Sequence, residues 1–166
     1  MKIIPLSAEY LTPAISLIVK TFKCKPTDFD YPGKWLPQGI AKKKNLRMLR
    51  EEGVTYLRYF VGLDEKTNKL IGTTGIYFSQ KDSKDSAWLS WLCVDAEFRG
   101  KGYGTELLNF AINLSKKKRK RFIKLYTSHK TNINRAMKMY KKRGFKIVKI
   151  EKNSEERVIY MNCKIN

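Results

Sequence analysis

Arg99-Gly100-Lys101-Gly102-Tyr103-Gly104 joins an apolar run, Trp88-Leu89-Ser90-Trp91-Leu92-Cys93-Val94, to a segment with helical spacing. In that segment Leu107, Leu108, Ala111, Ile112 and Leu114 recur at three- and four-residue steps, so one face can pack inward. The order is therefore strand, glycine loop, helix. Glycine at alternate positions lets the backbone curl without Cβ clashes. The curl and the first helical turn leave several N–H groups unpaired and aimed at one point, where the macrodipole is also positive. Such a nest of amides suits a phosphate.

Three familiar phosphate loops compete for this stretch. The dinucleotide fingerprint needs a further glycine where Thr105 stands. The Walker loop needs Gly-Lys-Ser/Thr after four spacers, and the kinase loop needs a Val-Ala-Ile-Lys strand soon after; the chain has neither. What fits is Arg-x-x-Gly-x-Gly, with Arg99, Gly102 and Gly104 at its defining places. Downstream, Arg135-Ala136-Met137-Lys138-Met139-Tyr140-Lys141-Lys142-Arg143-Gly144-Phe145 contains Ala-x-x-x-Tyr-x-x-x-Gly-Phe, filled by Ala136, Tyr140, Gly144 and Phe145. The two motifs, in this order, resemble the signatures of the GNAT superfamily of acetyl-CoA-dependent N-acetyltransferases.

That resemblance implies an α/β fold: a mixed, mostly antiparallel twisted sheet flanked by helices, as one N-acetyltransferase domain over residues 1–166. It also implies transfer of an acetyl group from acetyl-CoA to a primary amine, by direct attack in a ternary complex. The cofactor diphosphate falls to Arg99, Gly100, Lys101, Gly102, Tyr103, Gly104 and Thr105. The pantetheine arm and the thioester carbonyl fall to main-chain groups of Leu92, Cys93 and Val94. Tyr140 becomes the acid that protonates the departing thiolate. Family members usually place an asparagine three residues before the alanine; Ile133 stands there, and Asn132 and Asn134 on either side are the candidate cofactor contacts.

The amine-deprotonating base departs from the family pattern. Many members carry a glutamate near the positions of Leu89, Ser90 and Trp91, yet no carboxylate or histidine lies between Ala87 and Val94. Asp28, Asp30, Asp85, Glu97 and His129 are the alternatives, or a water chain that Ser90 helps to order. The resemblance implies that substrate choice is set by the segment between the first two helices and by the polar hairpin loops. In that segment Phe29, Tyr31 and Trp35, interleaved with Asp28 and Asp30, make an aromatic wall with carboxylates that suits a cationic amine. A small amine such as a polyamine, an amino acid or an aminoglycoside-like molecule is one reading, and a protein α-amine or lysine, for instance of a ribosomal protein, is the other. A relative that binds CoA without turnover and a basic nucleic-acid-binding module are the readings from other classes.

Composition narrows the field. A chain of 166 residues, 42% hydrophobic, is long enough to close one core. No apolar run approaches the ~18 residues that cross a bilayer, and Met1-Lys2-Ile3-Ile4-Pro5 has no signal-peptide layout. A cytoplasmic protein with no membrane partner is the expectation. Cys24, Cys93 and Cys163 are odd in number and far apart, which favours free thiols. With His129 the single histidine, no metal site is expected.

The 35 basic residues outnumber the 15 acidic ones and leave a net charge of +20. That excess admits a polyanion such as nucleic acid or a ribosome, although no recognition motif accompanies it. Lysines spread from Lys20 to Lys164 fit a solvated surface better, and Lys116-Lys117-Lys118-Arg119-Lys120-Arg121 reads as a helix end that suits the macrodipole. A homodimer is open, since many family members are dimers.

Pattern and punctuation give the remaining elements. A strand is expected at Lys2–Leu6, with Ser7 as a cap, and a helix at Ala14–Phe22 entered through Thr12-Pro13. Lys23–Pro37 reads as loop, and a second helix runs from Gln38 to about Glu51. Val54–Leu63 and Leu70–Phe78 form a hairpin, with Gly72 and Gly75 marking a bulge or a close backbone approach. After the glycine loop and its helix come a strand at Phe122–Thr127, a helix at Asn132–Arg143 and a closing pair at Phe145–Lys149 and Val158–Lys164.

Overall fold

The computed structural model describes residues 1–40, 46–128, 134–152 and 157–165. Its elements are β1 (Lys2–Pro5), α1 (Ala8–Phe22), α2 (Pro32–Ile40), α3 (Leu46–Glu51), β2 (Val54–Leu63), β3 (Leu70–Ser79) and β4 (Ser86–Val94). After a 3₁₀ turn at Ala96–Phe98 come α4 (Tyr103–Lys117), β5 (Phe122–Ser128), α5 (Asn134–Lys142), β6 (Lys146–Lys152) and β7 (Arg157–Lys164). All the strands join one sheet in the order β1-β2-β3-β4-β5-β7-β6. Neighbours are antiparallel except β4 and β5, which run parallel because α4 carries the chain back across the sheet. The α/β class and the mostly antiparallel sheet are as the motifs imply.

Strand alternation sorts the side chains into a core on each face. Leu57, Tyr59, Val61 and Leu63 of β2 pack with Ala14, Leu17 and Ile18 of α1 and with Trp35 and Leu36 of α2. Ile76, Leu89, Ile123, Leu125 and Met161 pack instead with Leu108 and Ala111 of α4 and with Tyr140 of α5. β6 is exposed along its whole length, an edge strand in which lysine recurs, as edge strands that avoid pairing often show.

Two expectations about the helices are corrected. The first helix begins at Ala8, not after Thr12-Pro13, so Pro13 lies inside it. Proline there removes one N–H bond, and the burial of Ala14, Leu17 and Ile18 on one face offsets the loss. The segment read as loop up to Pro37 is helical from Pro32, and Pro37 lies within α2. Trp35, Leu36 and Gly39 are buried there. Tertiary packing overrides the weak local propensity of a segment with two prolines and two glycines. Ser7 does precede α1, but its side chain makes no capping bond.

Candidate active site

The site begins where β4 parts from β5. The two pair only at Ser86↔Phe122, Ala87↔Ile123 and Trp88↔Lys124. β5 runs on to Ser128 alongside β7, while β4 continues to Val94 alongside β3. From Leu89 onward the edge of β4 that faces β5 therefore has no strand partner, and a wedge opens between the two.

A bulge shapes that edge. Thr73 pairs with Cys93 and Gly75 with Ser90, so one residue of β3 opposes two of β4. Trp91 takes φ +48, a left-handed conformation that is costly for a bulky side chain. Thr73 Oγ1 donates to the Trp91 carbonyl at 2.6 Å, and the indole packs edge-on against Phe22 at 5.3 Å, which together hold the turn. As a result consecutive residues share a face. Ser90 Oγ lies 3.4 Å from Tyr59 Oη and Trp91 sits in the α1 core, while Leu92 turns to the opposite core.

The glycine loop lies at the open end of the wedge. Gly100 and Gly102 have φ +80 and +87, which the missing Cβ permits, and Gly102 caps α4. Among the described residues, the amides of Gly100, Lys101, Gly102, Tyr103 and Gly104 donate to no backbone acceptor, whereas Thr105 N–H is spent on the Gly102 carbonyl at 2.9 Å. The Arg99 guanidinium folds back, its Nε donating to the Val94 carbonyl at 3.0 Å, and so ties the loop to the end of β4. Free amides on the positive end of a 15-residue helix can grip an anion.

Tyr140 stands at the inner end of the wedge. It is 7% exposed, packs on Phe145 at 5.6 Å between ring centres, and its hydroxyl makes no hydrogen bond to any described residue. Burial, with the Cys93 thiol adding to it, raises its phenol well above the usual range. The hydroxyl thus keeps its proton and is ready to donate. Burial likewise pushes the Cys93 thiol up to about 11 against the opposing hydrogen bond with Thr73, so at neutral pH Cys93 is a packing residue rather than a nucleophile.

A cavity of about 620 Å³ runs from this point to the other face of the sheet. Leu92, Leu125 and Tyr140 line one end and Phe29, Trp35 and Tyr59 the other. Three carboxylates, Asp28, Asp30 and Glu52, line it as well. In a chain with 35 lysines and arginines, not one contributes to its described lining. Burial first, then Tyr59, Asp82 and Asp30, raises the Tyr77 phenol; Cys24 is pushed up to about 11 by burial and then by Asp30 and Asp28. Asp30 also accepts from Tyr126 Oη at 3.3 Å. The described lining thus carries acidic side chains and no basic one, with Glu52 paired to Lys34 at the rim at 2.6 Å.

The structure brings together Leu92, Ser90, Phe29, Trp35 and Tyr140 of the residues singled out from sequence. Tyr31 does not line the cavity: its ring lies against Gly33, where a Cβ would come within 2.4 Å of it. Asn134 opens α5, whereas Asn132 and His129 lie outside the described residues. Of the other candidate bases, Glu97 pairs with Lys69 and Asp85 accepts from Ser86, both away from the cavity, which leaves Asp28 and Asp30. Sequence reasoning missed Tyr59, Tyr77, Trp88, Tyr126, Tyr160 and Glu52. The signal was present in β5 and β7, where Tyr126 and Tyr160 alternate with buried Ile123, Leu125, Ile159 and Met161, but the sheet order decides which strands share a wall.

This architecture has known counterparts. The model of the acetyltransferase (GNAT) family matches residues 24–145. An uncharacterized N-acetyltransferase of Methanocaldococcus jannaschii is 33% identical over 69 residues, 42% of this chain and 30% of that protein, so the match spans under a third of the relative's length. Among solved structures, a protein of Desulfovibrio desulfuricans assigned to the GNAT family superposes with TM-score 0.78 over 99% of each chain, at 12% identity. An aminoglycoside 6'-N-acetyltransferase solved with coenzyme A superposes with TM-score 0.68 over 100% of this chain and 98% of that one, at 16% identity. Those two likenesses show the fold. With the family's model covering well over half of its length, this chain belongs to the GNAT family of acetyltransferases.

Proposed function

We propose that residues 1–166 form a single acetyl-CoA-dependent N-acetyltransferase domain that acetylates a primary amine of a small cationic molecule. The observation that carries the reading is the wedge between β4 and β5, which leads from an amide cradle past Tyr140 into a cavity with three carboxylates and no described lysine or arginine. The residues fit the cofactor. The amides of Gly100 to Gly104 are available for its diphosphate, Lys101 adds charge, and the unpaired edge of β4 at Leu92, Cys93 and Val94 can hydrogen-bond a pantetheine arm as a further strand would. Bound acetyl-CoA supplies the acetyl group as an activated thioester.

The chain's own groups supply the rest. Main-chain amides exposed by the bulge polarise the thioester carbonyl. Asp28 and Asp30 draw in the ammonium, and Asp30 receives its proton, directly or through the Ser90–Tyr59 pair. Tyr140 donates a hydrogen bond to the sulfur as it gains charge. As the C–S bond breaks, the sulfur would take the Tyr140 proton, and the second proton lost by the acylated nitrogen, relayed by water, would restore the phenol. The aminoglycoside enzyme acts on an amine-bearing sugar, which agrees with a small cationic acceptor.

Thiol release from acetyl-CoA, followed with panels of polyamines, amino acids, aminoglycosides and lysine peptides, tests this. Turnover with small polyamines or amino sugars is expected. Turnover restricted to peptides would move the reading to a protein acetyltransferase, and cofactor binding without any thiol release would reduce it to a CoA-binding relative.

A further inference from the structure

At the rim of the cavity the protein already holds a cation. Lys34, in the first turn of α2, places Nζ 4.9 Å from the ring centre of Phe29 and 5.2 Å from that of Trp35, and 2.6 Å from Glu52 Oε1. Phe29 and Trp35 meet edge to face at 6.2 Å, and Trp35 Nε1 donates to the Phe29 carbonyl at 3.2 Å, which ties the indole to the main chain that carries the other ring. Two aromatic faces and a carboxylate around an ammonium make a cation box. Phe29, Trp35 and Glu52 line the acceptor cavity, whereas Lys34 does not. Its side chain is 36% exposed and sits on a flexible four-carbon stem, so it can leave without disturbing the box.

We infer that Phe29, Trp35 and Glu52 form a second ammonium subsite, for the distal cation of an extended polycationic acceptor, and that Lys34 occupies it as a displaceable placeholder. The inference rests on the acceptor-site reading above and adds a length requirement. Val54, two residues after Glu52, lies five strand residues from Tyr59, roughly 16 Å at the rise of an extended chain. The reacting amine is bound near Tyr59 and Ser90, so the two subsites are separated by up to roughly that span. Short monoamines cannot reach both places. An acceptor with two amines up to about twelve methylenes apart, or a tetraamine of similar length, can. Its second ammonium exchanges with that of Lys34, one charge for another, so the box never stands empty and entry costs little desolvation.

Calorimetry of the full chain with α,ω-diaminoalkanes of increasing length tests this, each beside the monoamine of equal length to remove the contribution of the methylenes. The diamine's advantage over its monoamine is expected to rise with length, toward about tenfold. In Lys34→Met the advantage should grow by a further two- to fivefold or so, the size of a partly exposed ion pair. In Glu52→Gln it should flatten, and in Glu52→Asp return in part; melting midpoints near wild type show that the variants fold. A length-independent advantage, diamine binding weakened or unchanged in Lys34→Met, or no diamine binding at all would overturn the subsite. Thiol release with any small amine would leave the acetyltransferase reading standing in those cases. Diamine binding that follows the expected pattern without thiol release would remove the enzyme and keep the subsite.

Discussion

Tyr140 sits four residues after Ala136 on α5, which turns both toward the same core. Its ring is packed in that core while the residue lines the cavity, and its hydroxyl has no hydrogen-bond partner among the described residues. Tyr140→Phe keeps the packing and removes the donor. Its kcat should fall by about 10² to 10⁴, the range of general acid–base catalysis, while calorimetric affinity for acetyl-CoA stays near wild type. An unchanged kcat would mean that the sulfur departs without this hydroxyl. The motif made Tyr140 legible in the sequence. Tyr59 was not, although Gly39 and Gly75 stand on either side of its ring and pin its hydroxyl near Ser90, because a Cβ on either glycine would come within 2.7 Å of the ring. Neither glycine is near Tyr59 in the sequence.

At the scale of elements, β4 shapes the proposed site through an irregularity. Its bulge gathers Ser90 and Trp91 on one face, sends Leu92 to the other, and is held by the Thr73 bond to the Trp91 carbonyl together with the Trp91–Phe22 contact. Thr73→Val has nearly the same shape and lacks the donor. The variant should lose about 1–3 kcal/mol in urea unfolding, because a carbonyl is left unsatisfied. Turnover should fall with it, since the residues that face the thioester move. A variant that loses stability yet keeps full turnover would detach the bulge from the chemistry. Gly72 and Gly75 pointed to a bulge or a close approach in the sequence, and the structure contains both, though the extra residue is on β4. The prolines at 32 and 37 misled for the opposite reason: local punctuation is weak where Trp35 and Leu36 gain a core.

For the molecule as a whole, charge and burial are divided by place. The net charge of +20 stays outside a cavity that bears carboxylates and phenols. Tyr59 and Tyr140 are both buried, and burial raises both phenols above the ordinary value near 10. A raised phenol pKa favours the folded state fully below about pH 10. As pH climbs past that value the unfolded chain ionises its tyrosines and the folded chain does not, so stability falls. The thermal midpoint should therefore decline from about pH 10 upward, with tyrosinate absorbance at first lagging behind that of the unfolded chain. A midpoint flat to pH 12 would contradict the enclosure of these two rings. What the sequence determined alone was what depends on neighbours along the chain: the amide cradle at Gly100–Gly104, the succession of strands, and the tyrosine of the second motif. Spacing sets backbone conformation and helix face directly. Only the tertiary structure decided the acceptor cavity, because its walls come from α2, β2, β3, β4, β5 and β7, and carboxylates and rings far apart in sequence meet only once the sheet order has been set.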